Sequence, residues 1–205
     1  GPQKPVLNQG YSQPQGDATR LAHRVADAIV EAIKGIKGFS SCRLVMIGTV
    51  GGNKELFLCD GDGGNMVQLP SDKSISLAPS WGPRGDQILY TSFVRGFADI
   101  YLINLSTGKR ACVANYSGMN MAGQISPDGQ EIVMICSKDG NPDVYVKSLA
   151  GGKVSRLTTS RSAGEASPAW SPDGGRIVYA SDAAGVGHPQ LYIMGRASPA
   201  SQLTS

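Results

Sequence analysis

Ser167-Pro168-Ala169-Trp170-Ser171-Pro172-Asp173-Gly174-Gly175-Arg176-Ile177-Val178-Tyr179 reads as a short buried strand, a tight turn and a second strand. Proline presets φ at the second turn position, aspartate bonds its own backbone, and glycine frees the exit. The pattern occurs twice upstream, at Ala78-Pro79-Ser80-Trp81-Gly82-Pro83-Arg84-Gly85 running to Ile88-Leu89-Tyr90, and at Ile125-Ser126-Pro127-Asp128-Gly129 running to Ile132-Val133-Met134. Trp81, Ile125 and Trp170 are 44 and 45 residues apart. A period of this length, with repeated turns and alternating strands, is the sequence signature of β-propeller blades.

Further along each repeat, Phe57, Tyr101, Tyr145 and Tyr192 recur in a third strand. The last interval is longer by the loop 182–189. Four blades are therefore expected, near 41–71, 77–115, 121–159 and 166–204. The first reads as three strands, at 44–47, at 55–58 and through Val67 and Leu69, and in each later one an inner strand carrying Trp or Ile is followed by the turn and the Ile-Val-Tyr type of strand. A polar hairpin, the third strand and an outer strand complete the unit. Such a unit buries both faces only against neighbours. Four blades of this kind leave strand edges and apolar faces, which predicts self-association or an open, aggregation-prone chain unless they close as a ring.

Ahead of the repeats the pattern differs. Residues 1–16 are rich in Gln, Pro and Gly without a hydrophobic period and read as a flexible arm, Gly1-Pro2 as the remnant of tag cleavage. Leu21, Val25, Ile29 and Ile33 then recur every four residues, which predicts one amphipathic helix within 17–38, capped by Asp17 or Thr19 and stopped at Gly35. His23 falls on its polar face with Asp27, Glu31 and Lys34 and is expected to be solvated. The fold class is thus all-β, a propeller of four-stranded blades over 39–205 preceded by one α-helix.

Composition excludes several functions. The 205 residues carry 19 basic and 16 acidic side chains, a net charge of +3, dispersed along the chain. No basic block speaks for nucleic acid, and no apolar run approaches a membrane span. The 27 glycines and 12 prolines suit an all-β array with many turns. Cys42, Cys59, Cys112 and Cys136 form no C-x-x-C pair and are expected to be unpaired, Cys136 as a small core side chain. Asp60, Asp62 and Asn65 suggest a calcium loop, but an EF-hand wants Gly sixth and Glu twelfth, where Asn65 and Ser71 stand. A glycine-rich hairpin turn is the better reading. The aspartates of the Asp-Gly turns repeat blade by blade, which marks them as structural. No nucleophile elbow, phosphate-binding loop or dinucleotide fingerprint occurs, and His188 has no nucleophile placed beside it by a motif. No enzyme, cofactor or metal is expected.

Helix and repeats together resemble the TolB family of the periplasmic Tol-Pal cell-envelope system. The blade motif Trp-Ser-Pro-Asp-Gly is shared with other propellers. More specific is the helix Thr19-Arg20-Leu21-Ala22-His23-Arg24-Val25-Ala26-Asp27-Ala28-Ile29 running into Gly35-Ile36-Lys37-Gly38, which is similar to the helix closing the family's N-terminal domain before the propeller. Most of that domain is not matched, and the family propeller has six blades. The resemblance implies a non-catalytic binding scaffold in the periplasm. It would dock the peptidoglycan-associated lipoprotein Pal and other Tol proteins at the propeller mouth to maintain envelope integrity, meeting the outer membrane only through partners. The loops that lead into the innermost strands would carry the contacts: 72–78, 115–122 and 159–167, with Ser76, Met119, Asn120, Ala122, Ser162, Glu165, Ala166 and Ser167 as partner-binding residues. Arg161 lies in the third of these loops. The alternative reading is the gating propeller of a prolyl-oligopeptidase-like peptidase, which needs a hydrolase segment that these residues do not contain.

Overall fold

The computed structural model describes residues 7–12, 17–160, 162–185 and 188–205, with Ala122 described in its backbone alone. Most of the segment read as an arm, and Arg161, therefore lie outside the described residues. Helix α1 spans Ala18–Lys34 and stops at Gly35, whose φ of 68° is left-handed and whose N–H donates to Glu31 O at 2.8 Å. Asp17 occupies the N-cap position, but its carboxylate caps no N–H and instead meets Arg20 Nη1 at 3.3 Å.

Among the described residues fifteen strands follow. Strands β1 (Arg43–Val50), β2 (Asn53–Asp60) and β3 (Val67–Gln68) form a three-stranded sheet. Three four-stranded sheets come next, each a meander in chain order. The first is β4 (Ser76–Trp81), β5 (Gln87–Ser92), β6 (Asp99–Asn104) and β7 (Arg110–Ala114). The second is β8 (Asn120–Ile125), β9 (Glu131–Cys136), β10 (Asp143–Ser148) and β11 (Val154–Arg156). The third is β12 (Glu165–Trp170), β13 (Arg176–Ser181), β14 (Gln190–Gly195) and β15 (Ser201–Gln202). Phe57 lies in β2 and its counterparts Tyr101, Tyr145 and Tyr192 in the third strands β6, β10 and β14. The first sheet has the three strands read for it, one fewer than each of the later sheets.

Two compact units emerge, Gly1–Met46 with Phe57–Gln68 and Ile47–Leu56 with Leu69–Ser205. In the first, Leu21 and Val25 of α1 are half-buried together with His23 and Asp27 of its polar face, while Glu31 and Lys34 are exposed. Asp27 accepts from the N–H groups of Ser40 and Ser41 at 2.6 and 2.8 Å, and His23 Nε2 meets Asp62 Oδ2 at 3.1 Å. His23 is thus not solvated: its side chain is 16% exposed, held by a carboxylate 39 residues away. The Gly-rich turn closes on itself, with Asp62 Oδ1 accepting from Gly64 N–H at 2.9 Å and Asp60 Oδ2 from Asn65 Nδ2 at 2.6 Å. Those carboxylates serve the turn. No helix residue is buried, and Ile29 and Ile33 are exposed.

In the second unit the blade cores follow from the two-residue period of a strand. Strand β9 shows it directly. Ile132, Met134 and Cys136 point to one side and pack with Leu89, Ile100, Ala114, Ile125 and Tyr145. Val133 and Ile135 point to the other and pack with Val144, Val146, Trp170, Ile177, Tyr179 and Met194. A strand covered on both faces reads as an unbroken apolar run, as Glu131–Cys136 does after its first residue. Trp170 is 9% exposed with the Arg196 guanidinium 4.9 Å from its ring centre. Trp81, expected to be equally buried, is only half-buried. Ile125 and Trp170 each pack on the blade before their own, so Trp81 at the same register faces away from β8–β11 and joins neither cluster.

Inner strands of successive blades also touch. Ser80 Oγ donates to Gly123 O at 2.8 Å, and Trp170 N–H to Gln124 Oε1 at 3.0 Å. A β-carbon on Gly123 would lie 2.5 Å from Val133 O and 2.9 Å from Pro168 Cγ, so only glycine fits. The Ser-Pro-Asp-Gly turns are closed twice over. Gly129 N–H donates to Ser126 O and Gly174 N–H to Ser171 O at 2.8 and 2.9 Å, with φ of 76° and 70° at the two glycines. Ser126 and Ser171 hydroxyls donate to Asp128 and Asp173 Oδ1, both at 2.5 Å, which holds the two carboxyls below their usual range. Asp173→Ala is expected to lower the urea midpoint, because the turn loses the hydrogen bonds that Ser171 Oγ and Gly175 N–H make to the carboxylate.

Candidate protein-docking face

An antiparallel meander sends alternate connections to opposite ends of its blade. In the four-stranded sheets, one end holds the closed turns at 82–86, 105–109, 126–130, 149–153, 171–175 and 196–200. The other holds the entries to the inner strands and the β5–β6, β9–β10 and β13–β14 hairpins. The two ends differ chemically. Ile75, Val94, Phe97 and Met119 are exposed at the second end, whereas no exposed large apolar side chain among the described residues lies in the turns of the first.

The second end is held rigid from beneath. Ser76, Asn120 and Glu165 open the three inner strands, pair with Ser92, Cys136 and Ser181, and are all buried. Burial corrects the expectation that they offer side chains to a partner. Asn120 shows why. Its Nδ2 donates to Ala98 O at 3.1 Å and Tyr116 O at 2.8 Å, and its Oδ1 accepts from Tyr116 N–H at 3.1 Å. One amide thereby fixes the loop 115–119 against the β5–β6 hairpin. Below the first entry, Asp72 accepts from Tyr90 Oη at 3.2 Å and Ser92 Oγ at 2.8 Å and pairs with Arg110.

Glu165 is 5% exposed. Its N–H donates to Pro142 O at 2.9 Å, its Oε1 accepts from Ser181 Oγ at 3.2 Å, and its Oε2 has no hydrogen-bond partner among the described residues. Burial pushes its carboxyl up to about 7, and the nearby Asp143 carboxylate adds to the rise. Asp143 itself is engaged by Arg156 Nη2 at 2.5 Å and Thr158 Oγ1 at 3.0 Å.

The remaining sequence-predicted residues are superficial. Met119 is 36% exposed with its N–H tied to Ser137 Oγ at 2.8 Å, and Ser162, Ala166 and Ser167 are exposed. Ser167 has a φ of 51° at a register shift between Ala166 and Ala169, a bulge that turns the strand entry outward. Ala122 pairs with Met134 through its backbone in β8, and its side chain lies outside the described residues. What the sequence reading missed is the β5–β6 hairpin, taken there as polar. It carries Phe97, 74% exposed, beside a recess of about 320 Å³ lined by Arg95, Phe97, Asp99, Asn115, Tyr116 and Ser117. The signal was available: Phe93-Val94-Arg95-Gly96-Phe97 stands where the next blade has Ser137-Lys138-Asp139-Gly140-Asn141.

Four-stranded meanders stacked face to face, with short turns at one end and an apolar-rimmed set of pinned loops at the other, define a fold of the β-propeller type. Residues 30–205 match the TolB beta propeller domain, and the chain belongs to that family. It is 40% identical over 186 residues to the Tol-Pal system protein TolB of Bordetella pertussis, an alignment covering 90% of this chain and 42% of that protein. The crystal structure of TolB from Acinetobacter baumannii superposes with a TM-score of 0.86 at 30% identity, over 98% of this chain and 51% of that one. A putative TolB from Agrobacterium tumefaciens gives a TM-score of 0.68 at 22% identity over 78% and 60%, a likeness of fold. The chain spans less than half the length of the curated relative it matches. Among the described residues no helix is long and apolar enough to cross a membrane.

Proposed function

We propose that this chain is a non-catalytic protein-binding scaffold of the Tol-Pal kind. It works in the periplasm and docks the peptidoglycan-associated lipoprotein Pal, with other Tol proteins as further partners, in the maintenance of the cell envelope. The observation that carries this reading is the one-sided placement of Ile75, Val94, Phe97 and Met119 on loops pinned by buried Asn120 and Asp72. Exposed apolar side chains on a pre-organised rim are what a protein interface requires, since little conformational freedom is lost on binding. The Asp72 and Asp143 carboxylates beneath that rim are committed to hydrogen bonds and ion pairs that hold loops. Contact falls to Met119, Ser162, Ala166 and Ser167, while Ser76, Asn120 and Glu165 position the backbone under them.

The test is calorimetric titration of the soluble domain of the cognate lipoprotein against the wild type and Met119→Ala. The substitution is expected to weaken binding by about 1 kcal/mol or more while leaving the melting curve within about 0.5 kcal/mol of wild type. Binding that ignores Met119 and is lost on altering the exposed helix residue Glu31 would place the interface elsewhere.

A further inference from the structure

We propose that the β5–β6 hairpin, residues 93–98, is the anchor of the docking face. Phe97 and Arg95 there grip a protein segment whose exposed apolar side chain is flanked by a carboxylate. The inference rests on the docking-face reading and names the chemistry of its partner.

Four observations converge on this hairpin. Phe97 is the most exposed of the large apolar side chains described in its compact unit. Its backbone is nevertheless fixed. Phe93 N–H donates to Ile75 O at 2.9 Å, Gly96 N–H to Phe93 O at 2.8 Å, and Ala98 O accepts from both N–H groups of the Asn120 backbone and amide at 3.2 and 3.1 Å. An exposed aromatic on a fixed backbone presents large contact area at little entropic cost, the usual character of an interface hot spot. Next, the recess beside it is flanked by Phe97 and Tyr116, so an incoming apolar side chain would meet aromatic walls.

The third observation is charge. Arg95 is 56% exposed, and its Nη1 lies 3.7 Å from the nearly buried Asp99 carboxylate, which orients the guanidinium from below. A guanidinium carries five donors in a planar fork, so one carboxylate does not exhaust it. Lys73 is exposed on the neighbouring entry loop, while the Asp72 and Asp99 carboxylates are buried and paired with Arg110 and Arg95. Beside the hairpin the solvent-facing charges are therefore those of Arg95 and Lys73, complementary to an acidic partner segment. Finally, the feature is not shared by the next blade. The matching β9–β10 hairpin offers Lys138 and Asp139 paired at 2.7 Å and no apolar side chain. A repeated structural turn would not differ so sharply from blade to blade.

The probe is the soluble domain of the cognate peptidoglycan-associated lipoprotein, titrated against the whole chain as wild type, Phe97→Ala, Arg95→Ala, Arg95→Lys and Met119→Ala. Phe97→Ala and Arg95→Ala are each expected to raise Kd about tenfold or more; Phe97→Ala should leave Tm unmoved because the ring faces solvent, whereas Arg95→Ala should lower it by leaving the buried Asp99 carboxylate unpaired. Arg95→Lys should recover part of the loss, because the charge remains while the fork is gone. The Arg95 contribution should shrink as salt is raised. If Phe97→Ala and Arg95→Ala bind like wild type while Met119→Ala binds weakly, the hairpin is not the anchor and the docking face stands. If the wild type does not bind the domain at all, the docking face itself fails and the hairpin with it. Vesicles of phosphatidylglycerol form the control arm. Loss of vesicle binding on Phe97→Ala with domain binding unchanged would make this a lipid-facing surface and overturn the proposal.

Discussion

Trp170→Ala is expected to destabilise the chain by about 3–5 kcal/mol, the range for removing a large aromatic from a packed core. The side chain ends the innermost strand of its blade and packs with Val133, Ile135 and Val144 of the blade before it and with Ile177, Tyr179 and Met194 of its own. Its removal opens a cavity between two sheets whose backbones are fixed by their own ladders, so collapse is limited. The Arg196 guanidinium, 4.9 Å from the ring centre, would lose its aromatic partner as well. No hydrogen bond is lost, because Trp170 Nε1 is buried without a partner among the described residues. Trp81→Ala serves as the internal comparison. Being half-buried and outside both apolar clusters, it should cost clearly less. Urea unfolding followed by the fluorescence of the remaining tryptophan reads each variant. Equal losses for the two would mean that the interface between the blades of β8–β11 and β12–β15 is not where the stability lies.

That asymmetry between two identical residues marks how far the sequence could be read. Strands and turns were legible because their determinants are local. Pro127-Asp128-Gly129 and Pro172-Asp173-Gly174 specify their turns through φ, an aspartate-to-backbone bond and a left-handed glycine, all within a few residues. Gly35 specified the helix stop in the same way. Burial was less legible, because it depends on which neighbour covers a face. Trp81 and Trp170 share a motif and differ only in what lies beside them. His23 looked solvated because its partner Asp62 sits in a turn beyond two strands. At the candidate site, Ser76, Asn120 and Glu165 were read as loop residues because each stands beside loop-like sequence. In the fold each is the first rung of an inner strand, closed over by its own hairpin partner. The β5–β6 hairpin was passed over for the opposite reason: a position that is polar in the next blade was assumed polar here, although the residue written there is Phe97.

Glu165→Gln is expected to make the protein more stable at pH 8.5 and to leave it nearly unchanged at pH 4.5. Burial, reinforced by the Asp143 carboxylate, raises the folded-state pKa of Glu165 to about 7 from an ordinary 4.5. The fold thus prefers the protonated acid. Below pH 4.5 the group is protonated folded and unfolded, and carries no penalty. As pH rises from 4.5 the unfolded chain releases its proton first, stability falls, and the loss is complete once pH passes the folded pKa near 7. A displacement of this size corresponds to a penalty of about 3 kcal/mol at alkaline pH. Glutamine keeps an acceptor for the Ser181 hydroxyl and supplies a permanent donor where the protonated acid had one, so the penalty disappears. The groups that face Glu165 are consistent with this sign. Asp143 repels its charge, Arg156 is already committed to Asp143, and Tyr179 on the paired strand is neutral with its own pKa raised by burial. Urea unfolding of wild type and variant across pH 5 to 8.5 gives the result. The wild type should weaken through that window and the variant should remain flat by comparison. A variant that is instead less stable at pH 8.5 would mean that the carboxylate is charged and held by Arg156 in the folded state.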